Sequence, residues 1–406
     1  MDNKLYYIVK AVVYCVIFGL TWLLFYDLGT MVSGYGMRSE DFLCHIAWSY
    51  QAGFRFILSD ENNLSYPLFH VLVYYLARFT ALSFPASAAV VCSASVVFSV
   101  IILDYYMKKY LNGICLGNLS IFGLSTGLIM FMPLYIPTLT QIYLGQFSGQ
   151  PWHSPTYLIV KPFAILCFFL FIDIYQTGKE EKTVICRWRF SKQNASIVFL
   201  SALLILSMIA KPSFIFVFGP SIVVFLIIEL IRSRFNNYLF VLKIIIALIP
   251  SLFFALFQYG ITLEGQGTGL MLAPFAIWAF FSSNILLSFI LCFAFPIFVC
   301  CLLFKSVISD KFLLLSVVTG VAGILEFILL AESGYRFTDG NIAWSMMCAS
   351  LIMFIGCAIS FIRYVRKNEL KGIQWIVPFG YTLLFLHIGT GVFYFCTQLA
   401  GWPLSF

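Results

Sequence analysis

The stretch ASIVFLSALLILSMIA-K-PSFIFVFGPSIVVFLII, residues 195–228, decides the fold because Lys211 is its only charged residue. A run of about 20 apolar residues matches the hydrocarbon core of a bilayer, which is about 30 Å thick. Backbone polar groups in lipid must be paired within their own segment, so such runs form helices. The stretch therefore predicts two membrane helices, Ala195–Ala210 and Phe214–Ile231, joined by a turn at Lys211 and Pro212.

The same character extends over the whole chain, which is 62% hydrophobic and only 10% charged. A soluble domain has roughly 45–50% apolar and 25% charged residues. The short alternating strands of a membrane β-barrel are not visible. The sequence therefore predicts an all-α, polytopic bundle of about eleven transmembrane helices. The net charge of +7 is carried mostly by short loops between apolar runs, so we expect no nucleic-acid partner.

Lysine and arginine in short loops predict the orientation, because such residues accumulate on the cytoplasmic side. The loop Thr177–Asn194 and the basic clusters at Lys108–Lys109 and Arg363–Lys367 are therefore expected to be cytoplasmic. This places the N-terminus inside and the C-terminus outside a cell membrane. The predicted spans are Tyr7–Met31, Ala86–Met107, Leu119–Pro137, Thr156–Gln176, Ala195–Ala210 and Phe214–Ile231, then spans ending near Gln258, Phe304, Ala331 and Arg363, and a last span before Gly401.

Residues 32–85 form the predicted outer loop between the first two spans. Its segment Tyr66–Leu82 is apolar, but it carries His70 and Arg78. If this segment crossed the membrane, every later basic loop would lie on the wrong side. We therefore expect it to be an amphipathic helix on the outer membrane surface.

Polar residues gather in this outer loop, beginning with Arg38-Ser39-Glu40-Asp41-Phe42-Leu43-Cys44-His45. Asp41 and His45 are four residues apart, on one face of a helix that Ser39 is placed to cap. A plainer interpretation is that Glu40 and Asp41 are solvated acids stabilised by the helix dipole.

Three cations are predicted at the outer surface, against the positive-inside trend. Lys161 lies one turn into the fourth span, after Trp152-His153-Ser154-Pro155, Lys211 lies at the turn described above, and Arg336 follows the ninth span. Charges held there without a topological reason suggest a pocket for an anionic lipid headgroup. The alternatives are snorkelling side chains and a network of salt bridges with Glu332 and Asp339.

The order of these features resembles the C-type-fold (GT-C) glycosyltransferases of membranes. The matching features are the first span, the acidic pair Glu40-Asp41, the predicted surface helix Asp41–Leu58, the motif Tyr66-Pro67-Leu68-Phe69-His70, the basic pair Lys108-Lys109, the loop before the fourth span and the turn at Lys211. The resemblance covers Tyr7–Ile231. It divides the single membrane domain into a catalytic module, residues 1–231, and additional helices, residues 232–406.

The resemblance implies an inverting transfer of sugar from a polyprenyl-phosphate-linked donor to a glycan, lipid or protein acceptor on the extracytoplasmic face. It implies Asp41 as the general base, with Glu40 as the second candidate. Lys161, Lys211 and Arg336 would bind the donor phosphate, and His45, Tyr66, His70, Trp152 and His153 would contact substrate. The outer loop lacks an Asp-x-Asp motif, so no metal ligands are predicted and the use of a divalent cation stays open.

Two other functions remain open. A polysaccharide polymerase, of the kind that makes O-antigen, also joins sugars carried on polyprenyl lipids. Such an enzyme usually relies on a large outer loop late in the chain with several arginines. Here the late outer loops are short, and Arg336 is their only arginine. A lipid or glycan transporter (flippase) is typically built from internal repeats and broken helices. No convincing repeat is present, and Glu326 is the best candidate for a functional acid within the membrane.

Overall fold

The computed structural model describes residues 3–30, 37–51, 66–114, 116–136, 151–176, 182–185, 188–262, 268–367 and 375–401. These residues form fifteen α-helices. The helices are α1 Asn3–Thr30, α2 Met37–Gln51, α3 Leu68–Thr80, α4 Phe84–Tyr110, α5 Asn118–Met130, α6 Pro155–Gln176, α7 Lys192–Ala210, α8 Ser213–Arg232, α9 Tyr238–Thr262, α10 Ala276–Phe281, α11 Ile285–Leu302, α12 Phe304–Ser309, α13 Lys311–Leu329, α14 Ala343–Lys367 and α15 Ile376–Leu399.

Ten of the described helices are long and apolar enough to cross a membrane: α1, α4, α6, α7, α8, α9, α11, α13, α14 and α15. The protein is therefore an all-α, multi-pass membrane bundle, as the composition predicts. The predicted turn at Lys211 and Pro212 is confirmed, because α7 ends at Ala210 and α8 begins at Ser213.

The third predicted span, Leu119–Pro137, is only partly correct. Helix α5 ends at Met130, and residues 131–136 continue without helical structure. Pro133 explains the end of the helix, since a proline disfavours helical geometry in the residue before it. The backbone N–H of Met132 donates to the carbonyl of His387 at 3.0 Å, and that of Leu134 donates to the carbonyl of Leu291 at 3.0 Å. Neighbouring helices thus supply partners for backbone groups that α5 leaves unpaired.

Helix α14 is the centre of the bundle, and every residue from Ala343 to Ile362 is buried. A helix that is apolar on all sides is expected in such a position. Small residues allow α13 to approach it closely. A Cβ atom on Gly323 would lie 2.5 Å from Cβ of Ala349, and one on Gly356 would overlap the side chain of Ser316. Membrane helices commonly pack through such small residues.

Helices α2 and α3 follow the first span, where surface helices are predicted. The structure begins α2 at Met37, so Ser39 lies within its first turn and the predicted cap at Ser39 is wrong. Residues 52–65, which include the end of the predicted helix Asp41–Leu58, lie outside the described residues. Helix α3 has 13 residues. At 1.5 Å per residue it is about 20 Å long, too short to span the bilayer core. Its placement on the outer surface stays a prediction.

Two short antiparallel strand pairs accompany the helices. Strands β1 Lys182–Ile185 and β2 Trp188–Ser191 pair between α6 and α7. Strands β3 Leu270–Leu272 and β4 Leu330–Glu332 pair with Leu270 opposite Glu332. The second strand pair, whose strands are separated by α10 to α13 in the sequence, fixes the end of α13 just before a 3-10 helix, Gly334–Asp339, and thereby positions Glu332 and Arg336.

The two ends of the bundle differ in their charges. One end, which we call the basic end, carries ion pairs between helices, and the other, which we call the site end, contains the turn at Lys211. At the basic end, three buried or half-buried acids form ion pairs: Asp104 with Lys10 and Lys108, Asp173 with Lys109, and Glu229 with Arg232 and Lys311. These contacts fasten α1 to α4, α4 to α6, and α8 to α13.

Candidate functional site

Lys211 is the central cation of the site end, and it is only 6% exposed. Its Nζ donates to the hydroxyl of Thr156 at 3.1 Å and lies 4.2 Å from the ring centre of Trp344 and 5.3 Å from that of Tyr66. Among the described residues no carboxylate forms an ion pair with it. Burial lowers the pKa of Lys211 to about 8, and nearby Asp41 acts in the opposite direction. The aromatic faces and a single hydroxyl replace part of the lost hydration of this cation.

Asp41 lies on α2 and faces the same cluster, with 43% of its side chain exposed. Its Oδ1 is 3.6 Å from Nε2 of His45, one helical turn later. Partial burial raises the pKa of the Asp41 carboxyl, while the charge of Lys211 opposes this effect. A carboxylate that is open to solvent on one side and close to a buried cation is suited to accept a proton.

His45 and His70 join α2 to α3 in the interior of the site end. Nδ1 of His45 is 2.9 Å from Nε2 of His70, and both side chains are buried. Burial lowers the pKa of His70 to about 3 and that of His45 well below its usual value. His153, which precedes α6, interacts electrostatically with His45, and its ring centre is 6.2 Å from that of Trp344.

Tyr66 connects this cluster to the third predicted cation. Burial raises the pKa of Tyr66 to about 12, and the hydroxyl interacts electrostatically with Asp41, Arg336 and Glu332. Arg336 itself lies 3.5 Å from Glu332 and 3.6 Å from Asp339. The structure thus has the salt-bridge arrangement that was the alternative for Arg336. We define the Asp41–Lys211 cluster as Asp41, His45, Tyr66, His70, His153 and Lys211.

Lys161 lies deeper than Lys211 and is 2% exposed. Its Nζ is 4.8 Å from the ring centre of Tyr157 and 6.0 Å from that of Trp152. Lys161 and Lys211 both interact electrostatically with the thiol of Cys348 on α14, so two of the three predicted cations lie near the same residue. Arg336 approaches the cluster through Tyr66 and is paired with acids.

Trp152 does not present a free face for a sugar. Its indole is fully buried, with its ring centre 5.0 Å from that of Phe395 and 6.1 Å from that of Phe25. This environment favours a packing role over the predicted stacking on substrate. The side chain of Glu40, the second candidate base, lies outside what the structure describes.

Sequence analysis missed Thr156, Trp344 and Cys348. Thr156 directly follows Pro155 at the start of α6, so its position in the sequence weakly indicates that it belongs to the site. Trp344 and Cys348 are on α14, and only helix packing brings them beside Lys211. Nothing local in the sequence marks either residue.

A groove with a volume of about 510 Å³ runs beside the cluster between α3, α4 and α6. Its walls are almost wholly apolar and include Leu68, Val91, Phe98, Ile159 and Phe163. Leu68, one of the lining residues, lies at the start of α3 between Tyr66 and His70 in the sequence, so the groove reaches the end of α3 that carries residues of the cluster. The groove has the apolar lining expected of a site for a hydrocarbon chain.

The described residues contain no group of three or more histidine, cysteine or acidic side chains arranged to hold a metal ion. No known protein-family model matches the chain, and no curated protein resembles it significantly in sequence.

Proposed function

We propose that this chain is an inverting integral membrane glycosyltransferase that uses a polyprenyl-phosphate-linked sugar donor. The proposal rests on one observation: an accessible carboxylate, Asp41, and a buried ammonium, Lys211, lie in one cluster beside an apolar groove. The two charges interact, yet no ion pair joins them within 4 Å. Each group keeps bonding capacity for a substrate.

Asp41 supplies the base. One of its oxygens accepts the proton of the acceptor hydroxyl while the hydroxyl oxygen attacks the anomeric carbon of the donor sugar. The bond between that carbon and the phosphate oxygen breaks, and its electron pair leaves with the lipid phosphate. A single displacement from the opposite face inverts the anomeric configuration. The acceptor is a glycan, a lipid or a protein.

Lys211 supplies charge stabilisation for the leaving phosphate. A fixed cation in a poorly solvated site stabilises developing negative charge more strongly than a cation in water. Lys161, whose Nζ lies over the rings of Tyr157 and Trp152, is the second candidate ligand for the phosphate. Arg336 is engaged by Glu332 and Asp339, so its first role is to order the wall beside Tyr66.

The apolar groove accounts for the lipid part of the donor. With the phosphate at Lys211 and the hydrocarbon chain along α3, α4 and α6, one amphipathic molecule would occupy both the cluster and the groove. We further propose that the site end faces the extracytoplasmic side of a cell membrane. The reason is that the basic end carries Lys108, Lys109 and Arg363, which favour the cytoplasmic side. The N-terminus is then cytoplasmic and the C-terminus extracytoplasmic.

Polyprenyl phosphate, the leaving group common to this class of donor, provides the test. Purified protein in lipid nanodiscs should gain thermal stability when polyprenyl phosphate is added, because a ligand that binds the folded state stabilises it. The matched variant Lys211→Met should lose most of this gain, whereas Lys305→Met, which changes an exposed lysine at the basic end, should keep it. Wild-type protein that gains no stability from this lipid would refute the proposal.

A lipid or glycan transporter is the second candidate, and one observation favours it. Helix α5 stops inside the bundle opposite His387, near the middle of α15, and Nδ1 of His387 is 2.7 Å from the carbonyl oxygen of Met132. Broken helices near the midplane are typical of transporters. Proteoliposomes distinguish the two functions, since a transporter moves the intact lipid-linked sugar across the bilayer and a transferase releases polyprenyl phosphate.

A further inference from the structure

The contact between His45 and His70 affects Asp41, the proposed base, through the protonation of the two imidazole rings. The two ring nitrogens of His45 face different partners. Nε2 lies 3.6 Å from Oδ1 of Asp41, and Nδ1 lies 2.9 Å from Nε2 of His70. The first distance is longer than a hydrogen bond, as is common in a catalytic site without substrate. A neutral imidazole has one N–H donor and one acceptor nitrogen, so the tautomer of one histidine constrains the other.

Both histidines are neutral in this environment. The rings are enclosed by Trp48 and Phe69, whose ring centres lie 5.0 and 6.1 Å from that of His45. Burial lowers the pKa values of both groups, and the charge of Lys211 further disfavours a positive His45. The titratable groups that face the pair are Asp41 on its own helix, Lys211 from the turn between α7 and α8, and His153 from the segment before α6.

Two proton arrangements satisfy the short contact between the histidines. In one, His45 donates from Nδ1 to His70, and the lone pair of its Nε2 then faces Asp41. An ionised carboxylate repels this lone pair. In the other, His70 donates from Nε2 to His45, and His45 presents its own Nε2–H to Asp41. Only the second arrangement stabilises the ionised base. Nδ1 of His70 has no hydrogen-bond partner, so nothing in the described structure holds a proton on it.

We propose that His70 and His45 are positioning residues for Asp41: His70 fixes the tautomer of His45, and His45 holds the Asp41 carboxylate ionised and oriented. The catalytic meaning of this inference rests on the proposed role of Asp41 as the base. The physical link between the three side chains does not depend on that role, and it is measured without any sugar substrate.

The experiment follows the ionisation of Asp41 through its reaction with a hydrophobic carbodiimide, which modifies protonated carboxyl groups. Labelling of Asp41 in detergent-solubilised full-length protein is quantified by mass spectrometry across a pH series, with Asp41→Asn to identify its label. Two variants of His45 form a matched pair. His45→Gln places an amide near the position of Nε2, whereas His45→Asn places it near Nδ1 and removes the group that faces Asp41.

In His45→Asn the labelling midpoint should move up by about one pH unit, because the ionised carboxylate loses a donor. In His45→Gln the midpoint should stay close to that of the wild type. His70→Leu should shift the midpoint in the same direction as His45→Asn, and His70→Gln, which keeps a donor near Nε2, should not. A purely structural role would lower thermal stability in these variants without separating their midpoints.

Equal midpoints for His45→Asn and His45→Gln would overturn the proposal. If the His45 variants fail to fold, the comparison of His70→Leu with His70→Gln decides in the same way, since neither changes a residue that contacts Asp41 directly. Shifted midpoints in a protein that binds no polyprenyl phosphate would keep the positioning pair and refute the glycosyltransferase.

Discussion

Lys211 and Trp344 are far apart in the sequence, yet Nζ of the lysine lies 4.2 Å from the centre of the indole ring. The π-system of the ring stabilises the cation without cancelling its charge, as a carboxylate would. Lys211 therefore remains available to an incoming anion, and the Asp41–Lys211 cluster yields predictions about chemistry, pH and orientation.

Asp41→Asn should abolish sugar transfer and leave expression and binding of polyprenyl phosphate close to those of the wild type. An amide is nearly isosteric with the carboxylate but does not accept the proton, and a general base typically contributes 10²–10⁴-fold in rate. The measurement is release of polyprenyl phosphate from a lipid-linked sugar, with Glu40→Gln as the control. Near-full turnover in Asp41→Asn would identify Asp41 as a helix acid and move the test to Glu40.

Binding of polyprenyl phosphate should weaken as the pH rises through about 8, because burial lowers the pKa of Lys211 to about 8 and the neutral amine no longer attracts the phosphate. The phosphate is already fully ionised above its second pKa of about 6, so between pH 7 and 9 the change comes from the protein. Affinity measured by thermal shift in nanodiscs tests this.

Lys211→Arg is the matched control for that pH series. A guanidinium stays charged throughout this range, so the variant should bind with little pH dependence. Lys211→Met should bind about tenfold to a hundredfold more weakly at pH 7, as expected for loss of a charge-assisted hydrogen bond. A wild-type affinity that is flat from pH 7 to 9 would count against Lys211 as the phosphate ligand.

The orientation of the bundle is tested with two serine-to-cysteine substitutions that barely change side-chain size. Ser283, just before α11, and Ser309, at the end of α12, are both exposed and lie at the site end and the basic end respectively. A membrane-impermeant maleimide added to intact cells should label Ser283→Cys and not Ser309→Cys, after subtraction of wild-type labelling. Labelling of both residues from one side would invalidate the topology.

Gly391→Ala should destabilise the protein, because a Cβ atom on Gly391 would overlap the carbonyl oxygen of Met130 at the end of α5. Overpacking of this kind typically costs about 1–3 kcal/mol. Gly389→Ala on the same helix is the control, since a Cβ atom there meets nothing within 4 Å. That change should leave the melting temperature unchanged or raise it, because alanine favours the helix over glycine. Equal melting temperatures would contradict the close contact of α5 with α15.

Glu229→Gln should loosen the basic end. The carboxylate accepts hydrogen bonds from Tyr175, Arg232 and Lys311, and its side chain is almost fully buried. Losing the charge should cost about 1.5–3 kcal/mol, since the two cations would then face a neutral amide. Asp27→Asn, which changes an exposed acid on α1, should leave the melting temperature of the purified protein near the wild-type value.

The parts of the fold that depend on local composition were predictable from the sequence. Apolar runs predict ten of the spans, and the charge at Lys211 marks the turn between α7 and α8. The end of α5 was missed although Pro133 signals it, because the apolar run continues past that residue. Length alone had suggested a complete span.

Within the candidate site, only contacts that follow from sequence spacing or from helices ending on the same side were predictable. The spacing of Asp41 and His45 on one helix predicts their contact, and the shared end of several helices predicts that Lys161 and Lys211 lie in one region of the bundle. The pairing of Arg336 with Glu332 was one of two alternatives, and local spacing did not decide between them. The burial of Trp152 and the position of Trp344 depend on packing between distant helices, for which a single sequence carries no signal.

The complete burial of α14 constrains the order in which the bundle assembles. Helices enter the membrane one after another as the chain is made, and thirteen of the described helices, α1 to α13, precede α14. A helix that ends with no face towards lipid must enter a gap between helices that are already in the membrane. We therefore predict that the earlier helices leave an opening until α14 arrives, and that lipid in this opening leaves before the bundle closes.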